Sequence, residues 1–185
     1  MTAQAGRDLW AYSLRVYGKP GIKPLLLDLQ DSVDADVNML LYCCWLGQKG
    51  LVLERNMLEA AIDAVRDWRT RVIQPLRSVR RTLSGDVINI PADQLAVWRS
   101  RLLEQELDAE QVEVSMLAGY IPDRPDADEP SGLLAACCAN LHSYLSVLAG
   151  RGKNVDQNAV IEVIGRVCDV DKDAVQYEWD TLGRL

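Results

Sequence analysis

Phenylalanine is absent from this 185-residue chain, and histidine occurs once, as His142. A single imidazole leaves one candidate base for a Ser–His–acid triad, with Ser143 and Ser146 beside it. No Gly-x-Ser-x-Gly elbow, phosphate loop or Gly-x-Gly-x-x-Gly turn is present. Carboxylates alone can do acid–base work, but with the usual signatures missing the chain leans away from catalysis, and no catalytic residue is assigned. There is no Cys-x-x-Cys either. Cys43, Cys44, Cys137, Cys138 and Cys168 are an odd number, mostly in apolar helical runs, which is unlike a secreted disulfide scaffold and favours a reducing cytoplasm. The first residues lack a basic stretch followed by an apolar one, so no signal peptide is expected. A net charge of −7 argues against attraction of the whole molecule to nucleic acid or anionic lipid.

Apolar residues make up 49% of the chain, enough to bury a real core. They are densest from Asp34 to Gly47, where only Asn38 interrupts an apolar run. Asp34 and Asp36 offer N-cap oxygens, and Gly47 suits a left-handed C-terminal cap. A helix apolar on every side, and too short to cross a bilayer, belongs in the middle of a bundle. From Pro130 to Gly150 no charge appears, about the length of a spanning helix. Asn140, His142, Ser143 and Ser146 inside it favour a second buried bundle helix and no membrane.

The expected fold is all-α: a single bundle of seven to eight helices around a buried central helix, 36–46, with no sheet. Helix one runs from about Arg7 to Tyr17, and Pro24 opens a short second helix, Leu25 to Gln30. Leu58, Ala61, Val65, Trp68, Val72, Leu76, Val79 and Leu83 recur at helical spacing, and Pro75 predicts a kink or restart near Gln74. Val87 to Ile90 alternates like a strand but has no partner strand, so it is expected to be an extended connector. In the next helix Leu95, Trp98 and Leu102 are expected to face inward, and Asp108 with Gln111 resembles a capping box that re-initiates it. Trp10, Trp45, Trp68 and Trp98, one to a helix, look like core anchors. Three units result: 1–119 as a helical core, 120–131 as an acidic, proline-rich linker, and 132–185 as three helices packed on the core.

Leu9-Trp-Ala-Tyr-Ser-Leu14, Tyr17-Gly-Lys-Pro-Gly21, Leu27-Asp-Leu-Gln30 and Asp36-Val-Asn-Met-Leu-Leu41 occur in this order. Together they resemble an uncharacterised proteobacterial family of short proteins, known as a domain of unknown function. The likeness is tightest over 7–47 and looser to about 118, with an echo in Asn140-Leu-His-Ser-Tyr-Leu145. It implies a cytoplasmic bacterial protein and brings neither an activity nor site residues.

The strongest candidate site is basic. Arg66, Arg69, Arg71, Arg77, Arg80 and Arg81 against Asp67 alone give +5 over residues 66–81, leaving −12 elsewhere. On a helical wheel Arg66, Arg69, Arg77 and Arg80 share one flank, a row able to grip an acidic protein partner or phosphates. The competing reading is pairing with the acidic helix bearing Glu104, Glu106, Asp108, Glu110 and Glu113, or plain solvation. A second candidate is a small-ligand or lipid pocket lined by Trp10, Tyr42, Cys44 and Trp45. Ile164 to Val175 has helix-turn-helix spacing, but Asp171, Asp173, Glu178 and Asp180 on its would-be recognition helix would be repelled by phosphates. Cys138 and His142 stand at i, i+4, yet such residues in apolar helices are more often core than zinc ligands. Asp34-x-Asp36-x-Asn38 and Asp169-x-Asp171-x-Asp173 imitate calcium loops without the glycine turn, and Asp28-x-x-Asp31 lacks the second acidic motif a magnesium–diphosphate site would want. No metal and no cofactor is assigned. The expected function is an adaptor-type protein-binding module using the basic flank; alternatives are a ligand-binding bundle or cryptic enzyme, and nucleic-acid binding.

Overall fold

Asp36 opens the helix on which the others pack: its carboxylate accepts hydrogen bonds from the backbone N–H groups of Asn38, at 2.9 Å, and Met39, at 3.4 Å. The computed structural model describes residues 2–83, 90–122 and 132–183. Its helices are α1 (Thr2–Tyr17), α2 (Ile22–Val33), α3 (Val37–Gly47), α4 (Arg55–Trp68), α5 (Gln74–Thr82), α6 (Ala92–Leu117), α7 (Gly132–Ala149), α8 (Gln157–Cys168) and α9 (Lys172–Asp180). A π-helical turn, Arg69–Ile73, joins α4 to α5, so the two form one continuous rod and the described residues make eight helical rods with no strand. The fold is all-α, as the sequence predicts.

Helix α3 is buried from Asn38 through Gly47, with Tyr42, Cys43, Cys44 and Leu46 at zero exposure. At about 1.5–3 kcal/mol for each large apolar side chain, this is the densest concentration of burial in the chain. Its ends differ from the expectation. Asp34 closes α2 in the left-handed conformation (φ 57°) and does not cap α3; its N–H reaches Leu29 O. Gly47 is still helical, and the left-handed residue is Gly50 (φ 69°). Gly47 is small for another reason: a Cβ built there would lie 2.5 Å from Cys137 N, Cα and Sγ. Helix α7 crosses α3 with backbones almost touching, a contact only glycine allows.

Asn140 fixes that crossing. Wholly buried, it donates from Nδ2 to Cys43 O (3.2 Å) and Leu51 O (2.8 Å), and Oδ1 accepts from Leu53 N (2.8 Å). Leu51 and Leu53 lie in the α3–α4 connection, where their backbone groups would otherwise be buried without partners, and Cys43 O is a carbonyl within α3. One turn on, Tyr144 Oη accepts from Asp36 N at 2.8 Å. Helix α7 is long and apolar enough to cross a membrane; here its Cys137, Cys138, Leu141 and Leu145 are buried in the same core as α3.

Helices α8 and α9 form a hairpin turned by Asp169 (φ 56°), with Asp156 and Asp171 capping their N-termini. Ile164 and Val175 are fully buried, and Gly165 admits the Val170 carbonyl close to it. The acidic Asp171, Asp173 and Asp180 stay exposed.

Two further expectations need correcting. Helix α6 runs unbroken from Ala92 to Leu117, so Asp108 re-initiates nothing. Trp98 is 56% exposed, because no described element covers the first half of α6. The missed anchor is Trp179, 1% exposed and packed edge-on to His142 at 5.3 Å between ring centres. The predicted connector at 87–89 and most of the predicted linker, 123–131, lie outside the described residues.

Candidate functional site

Pro75 sets the geometry of the basic rod. Proline lacks an N–H and crowds the carbonyl four residues back, so an unbroken α-helix cannot pass through it. The chain widens before it instead, with Gln74 N bonding to Arg69 O, five residues back. That turn sends the four arginines of the predicted flank to three places. Arg66 is half exposed and pairs with Asp63 in its own helix. Arg69 is drawn inward, bonding Asp34 at 2.8 Å and approaching Asp36 at 3.4 Å. Arg77 and Arg80 alone share a site.

Their site is the α5–α6 contact. Arg77 meets Glu106 and Glu110 at 2.7 Å each, and Arg80 meets the other oxygen of Glu106 at 2.6 Å. Glu106 is 3% exposed. Burial alone would raise its pKa, but the hydrogen bonds from Arg80 and Arg77 prevail and hold it below the usual carboxylate range. Burial wins at Glu110, whose pKa is raised.

Above this clasp opens a cleft of about 500 Å³ among α1, α2, α3, α5 and α6. Arg77, Arg80 and Arg81 stand on one wall and Lys23 at the rim. Trp10, Leu14, Leu103 and Leu107 make the apolar side. Leu14 is 54% exposed, Leu103 43% and Leu107 40%. Lys23 lies over the Tyr17 ring at 5.6 Å and has no carboxylate partner among the described residues, while Arg81 bonds the exposed Asp31 at 2.9 Å.

The second predicted group does not assemble. Of Trp10, Tyr42, Cys44 and Trp45, Trp10 lines the cleft beside Arg77 and Arg80. Tyr42 and Cys44 are core, Tyr42 donating to Tyr120 O, and Trp45 borders a separate groove with Lys49 over its ring at 4.7 Å. His142 rests near Gly183 O and Trp179. Among the described residues no group of His, Cys, Asp or Glu could hold a metal ion.

One cluster escaped the sequence reading. Asn38, at the floor of the cleft, donates to Glu113 Oε2 at 2.6 Å. Glu113 is 1% exposed, and burial together with the nearby Asp36 carboxylate pushes its pKa up to about 9. It therefore keeps its proton at neutral pH. Glu113 Oε1 and Asp36 Oδ2 are each buried without a hydrogen-bond acceptor or donor of their own, and that proton links them. A lone Asn in an apolar helix, with a Glu on the inward side of another, was the available signal.

No curated protein and no solved structure matches the chain. A family model described as a protein of unknown function (DUF2390) matches residues 8–117, from α1 through the last turn of α6, and so covers every element that lines the cleft while leaving out α7, α8 and α9. The chain belongs to the DUF2390 family.

Proposed function

We propose that this chain is a binding protein whose cleft receives an amphipathic acidic segment of a partner protein. The observation that carries the reading is the pairing of three exposed leucines, Leu14, Leu103 and Leu107, with a cationic wall in one cleft. The leucines would bury the apolar face of such a segment, and Lys23 and Arg81 would take its carboxylates. Arg77 and Arg80 serve chiefly to shape the wall, because Glu106 and Glu110 already neutralise much of their charge. That same neutralisation weakens the case for nucleic acid.

The test places a benzophenone photocrosslinker at position 14 or 107 of the full chain in cells. A protein adduct whose linked peptide is amphipathic and acidic, and which disappears when Lys23→Glu and Arg81→Glu are combined, supports the reading. No protein adduct, or one indifferent to the charge reversal, overturns it. The cleft volume also falls in the range of small-molecule sites, about 300–1,000 Å³, so a second reading is a small amphipathic anion. A molecule co-purifying in native mass spectrometry, displaced by Leu107→Trp, would favour that reading.

A further inference from the structure

The deep end of the cleft is polar, which its leucine rim does not require. Three side chains that line it are each more than nine-tenths buried: Ser13 on α1, Gln30 on α2 and Asn38 on α3. Rings and an aliphatic wall stand beside them. Trp10, Ser13 and Tyr17 share one face of α1, and Leu41 follows Asn38 by one turn of α3.

Each of the three polar side chains has hydrogen-bonding capacity to spare. Ser32, Ser115 and Ser146 turn their hydroxyls back onto the carbonyl four residues earlier in their own helices. Ser13 does not, and its Oγ is buried without a partner. Asn38 gives its Nδ2 to Glu113, and its Oδ1 accepts from no described residue. Gln30 reaches only the neighbouring Asp31, through Nε2 at 3.5 Å, and its Oε1 likewise accepts nothing among the described residues. Buried polar groups are ordinarily paired, so three with unused capacity at the end of one cleft suit a polar group brought in from outside. Water can serve them in the free chain, and a ligand group that reproduces its bonds can displace it.

We propose that the floor of the cleft is a subsite for a phenol, the tyrosine anchor of the acidic segment. The inference rests on the reading of the cleft as a partner site and names the side chain that enters it. Gln30 and Asn38 present oxygens, so the incoming group must donate. Ser13 can donate in return, so the group must also accept. A hydroxyl does both, whereas an indole N–H only donates and a carboxylate only accepts. Trp10, Tyr17 and Leu41 call for a ring beneath that hydroxyl, and a tyrosine reaches down with only two torsions to fix. The ring supplies the affinity; the floor supplies the choice of tyrosine over phenylalanine. The segment's carboxylates stay at the rim with Lys23 and Arg81.

The probes are para-cresol and toluene, which reproduce the side chains of tyrosine and phenylalanine. Each is titrated into the full chain, with binding read from chemical-shift changes in its NMR spectrum. Toluene is the more apolar, so a merely greasy cleft takes toluene more tightly. The expected result is the reverse order, para-cresol at least about tenfold tighter, with Leu107→Trp abolishing both. Ser13→Ala combined with Gln30→Leu should bring toluene level or ahead, and Ser13→Ala alone, which should narrow the gap, serves where the pair disturbs the fold. Toluene equal or tighter in the wild type, no binding of either probe, binding that survives Leu107→Trp, or a preference that survives the loss of Ser13 and Gln30 overturns the proposal. The two readings fail separately. A phenol preference with no crosslinked protein removes the partner and keeps the subsite; an acidic adduct without that preference removes the subsite alone.

Discussion

Helices α3 and α7 meet through glycine, cysteine and a single asparagine, all shut from water. Helices α5 and α6 meet through two arginines and two glutamates at the edge of a cleft. Both contacts involve buried polar groups, yet they behave differently. At α3–α7 the polar atoms of Asn140 replace water for Leu51 O and Leu53 N–H, which have no access to it, so the bonds have no substitute. At α5–α6 the arginines retain some solvent, and water or salt can stand in for part of what the glutamates supply. The first contact sets stability; the second leaves Arg80 partly exposed beside the leucines of the cleft.

Asn140→Ala should have the largest effect. It strands Leu53 N–H and the Leu51 carbonyl and removes a second bond from Cys43 O, so at about 1–3 kcal/mol for each buried unpaired group the loss should reach about 3–5 kcal/mol in chemical denaturation. Gly47→Ala comes next: the new Cβ forces α3 and α7 apart, for about 1–3 kcal/mol by the same measurement. Glu106→Ala should cost less, about 1–2 kcal/mol, because Arg77 keeps Glu110 and Arg80 remains a quarter exposed; its cost should shrink in high salt while that of Asn140→Ala does not. A Glu106→Ala loss equal to that of Asn140→Ala would erase the contrast between the two contacts.

One substitution should be a gain, and it sharpens the comparison with pH. Glu113 holds its proton in the folded chain up to about pH 9 but releases it in the unfolded chain near pH 4.5. Across that window the folded state binds more protons, so this group's contribution is full below the unfolded pKa and is lost as pH rises through the folded one. Glu113→Gln keeps an acceptor for Asn38 and a donor for Asp36 without the ionisation. Melting temperatures of the two chains should therefore converge at pH 4, and Glu113→Gln should melt higher at pH 8.

The core was legible because α3 is apolar on every face, a pattern no surface helix tolerates. Pro75 likewise marked the restart at Gln74. Local spacing failed where a distant partner decides the outcome. Leu95, Trp98 and Leu102 make a valid stripe, yet Trp98 remains in water. Trp179 sits between Glu178 and Asp180 and reads as surface, yet the α7 crossing swallows it. The arginine wheel assumed an even 100° step, and the wide turn at Arg69–Ile73 broke it. From the candidate site, Arg77, Arg80 and Trp10 converge on the cleft; Lys23 and the Asn38–Glu113 link needed tertiary structure to be seen.

That wide turn acts as a phase shifter. Relative to a regular helix it sets back everything after it by about 100°, one residue's share of a revolution. Shorten segment 69–73 by one residue and replace Pro75 by alanine, and the rod would regain a uniform pitch, with its cations aligned in a single file. Asp34 and Glu106, which now draw their counter-ions from two compass bearings, could not then both be served at once. A deletion there would exchange one clasp for the other.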